Sequence, residues 1–97
     1  MSRAFVSEDQ PAPDPRQRFP LPPAGDPEYD AASARALIQG AHEGDSAAAE
    51  EATGYRFGEP KLVPHVGVIL ERARKEGNDR LEQLAERFLR KAGVDLE

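Results

Sequence analysis

The chain has 97 residues, 38% hydrophobic and 32% charged, with a formal net charge of −5 and no cysteine. This length accommodates one small domain, or a domain with a tail. The lack of cysteine excludes a disulfide framework, a thiolate zinc site and a thiol nucleophile. The longest apolar run, residues 66–70, is far shorter than the ~20 residues that span a bilayer. No apolar stretch of signal-peptide length opens the chain, so we expect a cytoplasmic protein without membrane contact.

The first 25 residues differ in composition from the rest. Seven of the nine prolines lie between residues 11 and 27. Proline fixes φ, lacks a backbone donor and disfavours helix in the preceding residue, and this segment has few large apolar groups to offset its ordering entropy. We therefore predict a disordered, proline-rich arm over residues 1–25. The alternative is a recognition segment, in which Phe5 and Val6, or residues 19–23, dock in a partner's groove.

Residues 26–93 are predicted to form an all-α domain, a small bundle of two helical hairpins with about four helices. Each predicted helix ends at a glycine suited to a left-handed stop: Gly44, Gly54, Gly77 and Gly93. The candidate N-caps are Asp26 or Asp30, Asp45 or Ser46, and Asn78 or Asp79. Pro64 suits the first turn of the third helix, and Val63 before it is expected in extended geometry. Residues 94–97 are taken as a C-terminal tail, or a cloning remnant, outside the fold.

Apolar residues recur at helical spacing in the last two helices. The third helix repeats them at Val66, Ile69, Leu70 and Ala73, and the fourth at Leu81, Leu84, Ala85, Phe88, Leu89 and Ala92. The domain nevertheless has few large apolar side chains for its length, near the lower limit for a self-sufficient core. Either the helices pack very economically, or a second subunit or a partner covers the remaining apolar surface, so weak self-association is an alternative to a monomer.

The connection between the predicted hairpins contains two aromatic residues. Tyr55 and Phe57 flank Arg56 in a segment where Pro60 and Pro64 forbid a continuous helix. The first interpretation is that both aromatic rings fill the gap between the hairpins. The alternative is an exposed anchor, because aromatic residues and arginine are enriched among binding hot spots.

Charge is unevenly distributed along the chain. Residues 30–60 contain two basic residues and six acidic ones, whereas residues 61–92 contain eight basic and five acidic. On the last helix the basic residues lie to one side of the apolar stripe: Arg80, Arg87, Arg90 and Lys91. A solvated helix with i,i+4 pairs, such as Glu86 with Arg90, explains this pattern, and a surface for an acidic partner is the alternative. The acidic net charge argues against nonspecific nucleic-acid binding.

Residues that could support catalysis or bind a metal are sparse. The two histidines, His42 and His65, are not spaced as helical metal ligands, and no phosphate-binding glycine motif occurs. We therefore expect neither a cofactor nor a metal, and a small hydrolase using His65 is the weakest functional alternative.

Two segments resemble known families. The glycine turns at Gly44 and Gly77 are 33 residues apart, and Gly44-Asp45 followed by Ala49 resembles the inter-helix turn of a tetratricopeptide unit, which implies shared hairpin geometry. The opening residues MSRAFV, followed by Glu8-Asp9 and prolines, resemble the start of Gre-type transcription cleavage factor homologues. That resemblance implies a regulator that contacts RNA polymerase through Arg3, Phe5 and Val6.

We predict a non-enzymatic helical module that binds an unidentified protein partner. The candidate contact surface combines the loop residues with the basic side of the last helix: Tyr55, Arg56, Phe57, Arg80, Arg87, Arg90 and Lys91. An RNA-polymerase-associated transcription regulator is the main alternative.

Overall fold

A computed structural model describes residues 15–96. The elements, in chain order, are α1 (Pro15–Arg18), α2 (Tyr29–His42), α3 (Ser46–Thr53), a 3-10 turn (Pro60–Leu62), α4 (Val63–Glu76) and α5 (Asp79–Lys91). Helix α2 packs against α3, and α4 packs against α5. Residues 15–96 contain no strand, and none of their helices is long and apolar enough to cross a bilayer. The two hairpins confirm the predicted all-α fold.

The hairpin turns form as the capping residues predict. The Asp45 Oδ1 accepts a hydrogen bond from the Ala48 N–H at 3.2 Å, and the Asn78 Oδ1 accepts one from the Leu81 N–H at 3.1 Å. Gly44 and Gly77 adopt φ values of 77° and 67°, which a side chain with Cβ would disfavour. These contacts satisfy helix-end groups that would otherwise lack partners, and they reverse the chain direction within two or three residues.

The cap signal at Asp26 and the pre-proline signal at Val63 gave wrong local geometry, whereas Pro64 lies in the first turn of α4 as predicted. Helix α2 starts at Tyr29, later than a cap at Asp26 would place it, because the Asp26 Oδ1 accepts the Glu28 N–H at 2.8 Å and forms a turn before the helix. Val63 is helical, with φ −52° and ψ −47°, so the extended geometry predicted for it is wrong. Its N–H donates to the Pro60 carbonyl, and the 3-10 turn that buries Leu62 runs directly into α4. The pre-proline bias is outweighed by these contacts.

Helix α2 lies at the centre of the bundle. It contacts α3, α4, α5 and the 3-10 turn. The largest fully buried apolar side chains of the described residues lie on α2, the 3-10 turn, α4 and α5: Leu37, Leu62, Val66, Leu84 and Phe88. Small residues bring α3 close to α2. A methyl group built at Gly40 would lie 2.6 Å from the Ala49 Cβ and 3.1 Å from the Asp45 carbonyl oxygen. The core therefore packs economically, through close backbone approach rather than bulky side chains.

The ordered fold begins before residue 26. Phe19 is only 5% exposed and belongs to the core, and the Arg18 guanidinium pairs with Glu43 at 2.7 Å and Asp45 at 2.6 Å. The prediction that residues 15–25 are disordered is therefore wrong. The buried ring of Phe19 and the guanidinium group of Arg18 attach this proline-rich segment to the hairpin of α2 and α3. Phe19 docks on its own domain, not on a partner as the recognition-segment alternative proposed. Residues 1–14 of the predicted arm lie outside the described range.

The residues after α5 also contact the core. The Val94 N–H donates to the Leu89 carbonyl at 2.9 Å, and Val94 and Leu96 pack against the hydrophobic cluster. The prediction that the tail from residue 94 stands outside the fold is therefore corrected through Leu96, the last described residue.

Two glycine substitutions test the close packing of α2 and α3. We expect Gly40→Ala to destabilise the domain by about 1–3 kcal/mol, because its methyl group overlaps Ala49. Gly67→Ala is the matched control: Gly67 lies inside α4 with no atom within 4 Å of the added methyl group, so we expect stabilisation by about 0.5–1 kcal/mol. Urea unfolding followed by circular dichroism measures both. Equal effects of the two substitutions would contradict the packing argument.

The pairing of Arg18 predicts a pH-dependent stability. The Gln39 amide and the Arg18 guanidinium hold the pKa of Glu43 below its usual range, and Arg18 together with the Ala48 N–H does the same for Asp45. A carboxyl group whose pKa is lowered by folding contributes stability above its unfolded pKa of about 4 and loses it as pH falls through the lowered value.

We therefore expect Arg18→Gln to lower the urea midpoint at pH 7. This difference from wild type should shrink as the pH is reduced below about 4, where both carboxyl groups become protonated, and in about 1 M salt, which screens the partly exposed pairs. A difference that is constant with pH would show that Arg18 acts through packing alone.

Candidate functional site

Phe57 lies inside the core, as the gap-filling interpretation predicts. It is 9% exposed, and its ring meets that of Phe88 edge to face with centroids 4.8 Å apart. The Phe57 N–H donates to the Glu50 Oε2 at 2.9 Å, so the loop backbone is also tied to α3. Phe57 therefore joins the two hairpins and presents little surface to a partner.

Tyr55 is half-buried and faces α2. Its hydroxyl donates to the Asp30 Oδ1 at 2.7 Å, and the hydrogen bond to Asp30, together with burial, raises the pKa of Tyr55 to about 12. The neighbouring Tyr29 hydroxyl donates to the Thr53 carbonyl at 2.7 Å. Two tyrosine hydroxyl groups thus connect α2 to the last residue of α3 and to the loop that follows it. Arg56, between the two loop aromatics, is exposed.

The basic residues predicted on the last helix do not form one surface with the loop. Gly58 lies against the aliphatic stem of Lys91 in the last turn of α5, whereas Arg80 lies in the first turn, about 16 Å away along the helix axis. Arg90 lies 3.8 Å from Glu86 and forms the predicted i,i+4 pair. Arg87 is exposed. Only the C-terminal part of the predicted basic side therefore borders the loop.

A groove that the sequence interpretation missed lies between α2 and α4. Its cavity volume is about 360 Å³, and apolar side chains from α2, α4 and the start of α5 line it: Ile38, Val68, Ile69 and Leu81. Val68 is 63% exposed, although it is a large apolar residue. Apolar surface of this kind, bordered by polar groups, marks interaction sites in soluble domains.

Basic groups border the groove. Arg35 on α2 and His65 and Arg72 on α4 line it, and within residues 15–96 no aspartate or glutamate lines it. Within residues 15–96, neither Arg35 nor Arg72 forms an ion pair, in contrast to Arg74 on the same helix, which pairs with Glu82 and Glu86.

The groove continues towards the first turn of α5. A second depression of about 210 Å³ shares Ile38, Gln39 and Leu81 with the first and adds His42 and Arg80. The end of α2 meets the start of α5 here, and only residues 77 and 78 separate the start of α5 from the end of α4. The ends of α2 and α4 therefore lie near each other, so these two helices run in the same direction. Arg80 is therefore the one predicted contact residue that the structure places in the groove, beside residues the sequence interpretation had not grouped with it.

A sequence signal for the groove exists but is ambiguous. Arg35 and Gln39, and Val68 and Arg72, are four residues apart, so each pair lies on one side of its helix. The sequence interpretation assigned Ile69 to the buried stripe of α4, and the structure shows it partly buried at the groove. Within the part of the chain described, no group of three or more His, Asp or Glu residues is arranged to hold a metal.

Substitutions in the loop distinguish a structural role from a binding role. We expect Phe57→Ala to destabilise the domain by about 3 kcal/mol, because it removes a buried ring from its contact with Phe88. Arg56→Ala, the adjacent exposed position, should change stability by less than about 0.5 kcal/mol. Thermal and urea unfolding measure both. A fully stable Phe57→Ala protein would instead favour the exposed-anchor interpretation.

No protein-family model, curated protein or solved structure matches the chain. The interpretation of this site therefore depends on the positions of its own residues.

Proposed function

We propose that this protein is a non-enzymatic helical interaction module that binds a segment of a partner protein in the groove between α2 and α4. The observation that carries the proposal is the exposed Val68 on an apolar floor, beside two arginines that have no ion-pair partner within residues 15–96. Burying such a surface against a partner removes apolar area from water.

Other surfaces support the proposal less well. The depression beside Phe19, Pro20 and Leu21 has a volume of about 460 Å³, but the described residues that line it carry no charge, so they offer little to orient a ligand. Among the described residues that line the groove, none is a carboxylate or a serine that could act with His65. A general base needs such a partner or a nucleophile within hydrogen-bond reach, which favours a binding role over hydrolysis.

The alternative proposal, an RNA-polymerase-associated regulator, depends on residues 1–9, outside the described range. Deleting residues 1–25 would not test it cleanly, because this deletion also removes Phe19 from the core. A full-length chain with Arg3, Phe5 and Val6 replaced by alanine changes no residue of the described range 15–96. Recovery of RNA polymerase by wild type but not by this triple variant would favour the regulator over the groove.

Capture of partners on the immobilised full-length chain tests the groove. We expect Val68→Asp to reduce recovery of a specific partner from an extract of the source cells by at least about tenfold, because a carboxylate on the apolar floor would have to be desolvated on binding. Gln83→Asp is the matched control, since it adds the same charge at an exposed position of α5 outside the groove. Both variants should retain the wild-type circular dichroism spectrum. Equal recovery by wild type and both variants would contradict the proposed binding surface.

A further inference from the structure

The groove has a chemical character that specifies its occupant. Building on the proposed function, we infer that it binds an amphipathic helix of a partner protein, with apolar residues facing the floor and acidic residues at the rim. Three features carry the inference: the polar groups available to the ligand, the arrangement of the apolar floor, and the charge of the rim.

An extended peptide would leave its backbone unsatisfied in this groove. The walls are helices, whose own N–H and C=O groups are bonded within the helix, and residues 15–96 offer no strand edge for pairing. The two amide side chains nearby are each partly engaged, because the Gln39 Nε2 donates to Glu43 at 2.6 Å and the Asn78 Oδ1 caps α5, so they could pair with only a few backbone groups of an extended ligand. A helical ligand satisfies its own backbone groups and needs no partner for them.

The apolar floor suits the spacing of one helix face. Val68 and Ile69 on α4, Ile38 on α2 and Leu81 on α5 form a continuous apolar lining, which continues past Leu81 to Leu84. The residues that line the depression extend along both helices, from Ala31 to Gln39 on α2 and from His65 to Arg72 on α4. Apolar side chains at positions i, i+4 and i+7 of a bound helix would follow such a trough.

The rim selects acidic side chains. Arginine only donates hydrogen bonds. Arg35, Arg72 and Arg80 line the two connected depressions, and the described part of the chain places no aspartate or glutamate in either lining. A carboxylate on the bound helix would accept hydrogen bonds from these guanidinium groups. The whole chain carries a net charge of −5, so attraction of an acidic ligand is confined to this local surface and should depend on these arginines.

Synthetic helices test the inference on the full-length protein. The acidic probe is a 16-residue peptide, about four helical turns long. It carries leucine at positions i, i+4 and i+7 and glutamate at the flanking positions. A hydrocarbon link on its outer face stabilises the helix, because so short a peptide is only marginally helical in water. Matched probes carry glutamine or lysine in place of every glutamate. Fluorescence anisotropy gives the Kd of each. A single-stranded oligonucleotide of about 16 nucleotides tests a phosphate-backbone ligand instead.

We expect the acidic helix to bind most tightly, and the lysine helix at least about tenfold more weakly, since each exposed ion pair changes Kd by about two- to fivefold. The double variant Arg35→Glu with Arg72→Glu should reverse this preference. Lys61→Glu with Lys75→Glu, the control with the same charge change at exposed positions outside the groove, should leave it unchanged. Circular dichroism confirms that each variant is folded.

Three results would overturn the inference. Equal binding of the acidic, neutral and basic helices, sensitive to Val68→Asp, would retain the proposed groove but remove its preference for acidic ligands. Binding of the oligonucleotide in preference to every helix, lost in Arg35→Glu with Arg72→Glu, would replace the helix with a phosphate backbone. Binding of no helix would exclude this ligand class, and the effect of Val68→Asp on partner capture would then decide the proposed function separately.

Discussion

The structure depends on enclosing one helix, α2, with very little bulky apolar material. Helix α2 contacts α3, α4, α5 and the 3-10 turn. Its close approach to α3 is possible because the residues between these two helices are small. Gly40 and Ala49 let α2 and α3 approach until no additional methyl group fits. Close approach replaces side-chain volume in maintaining the density of the interior, which explains how a short domain with few large apolar residues forms a continuous core.

The same arrangement leaves one side of α2 open. Residues of α2 that face α3 and α5 are buried, whereas Arg35 and Gln39 remain exposed beside the exposed Val68 of α4. A third helical hairpin or a ligand would be needed to cover this side. The domain therefore combines a closed interior with an exposed apolar groove. Arg74 pairs with Glu82 and Glu86, whereas Arg35 and Arg72 form no ion pair within residues 15–96. These two arginines make the groove locally basic.

Local patterns predicted much of the backbone. Helical periodicity in α4 and α5, the caps Asp45 and Asn78, and the glycine stops all operate over a few residues, so they are legible in the chain itself. The signals that failed are biases that longer-range contacts overcame. Val63 is helical because Leu62 is buried and Pro60 accepts its N–H. Residues 15–25 are ordered because Phe19 reaches the core and Arg18 reaches Glu43 and Asp45, contacts that span about 25 residues or more.

The sequence by itself determined the helix class, the hairpin turns and the presence of two aromatic residues in the central connection. Tertiary structure alone decided which side of each helix stayed exposed. Phe57 and Val68 are both large apolar residues, yet one contacts Phe88 in the interior and the other lies on the open groove. Apolar residues at helical spacing indicate that a helix has an apolar face. They do not indicate how many other helices pack against that face. The groove between α2 and α4 therefore exists only once the two consecutive hairpins are packed together.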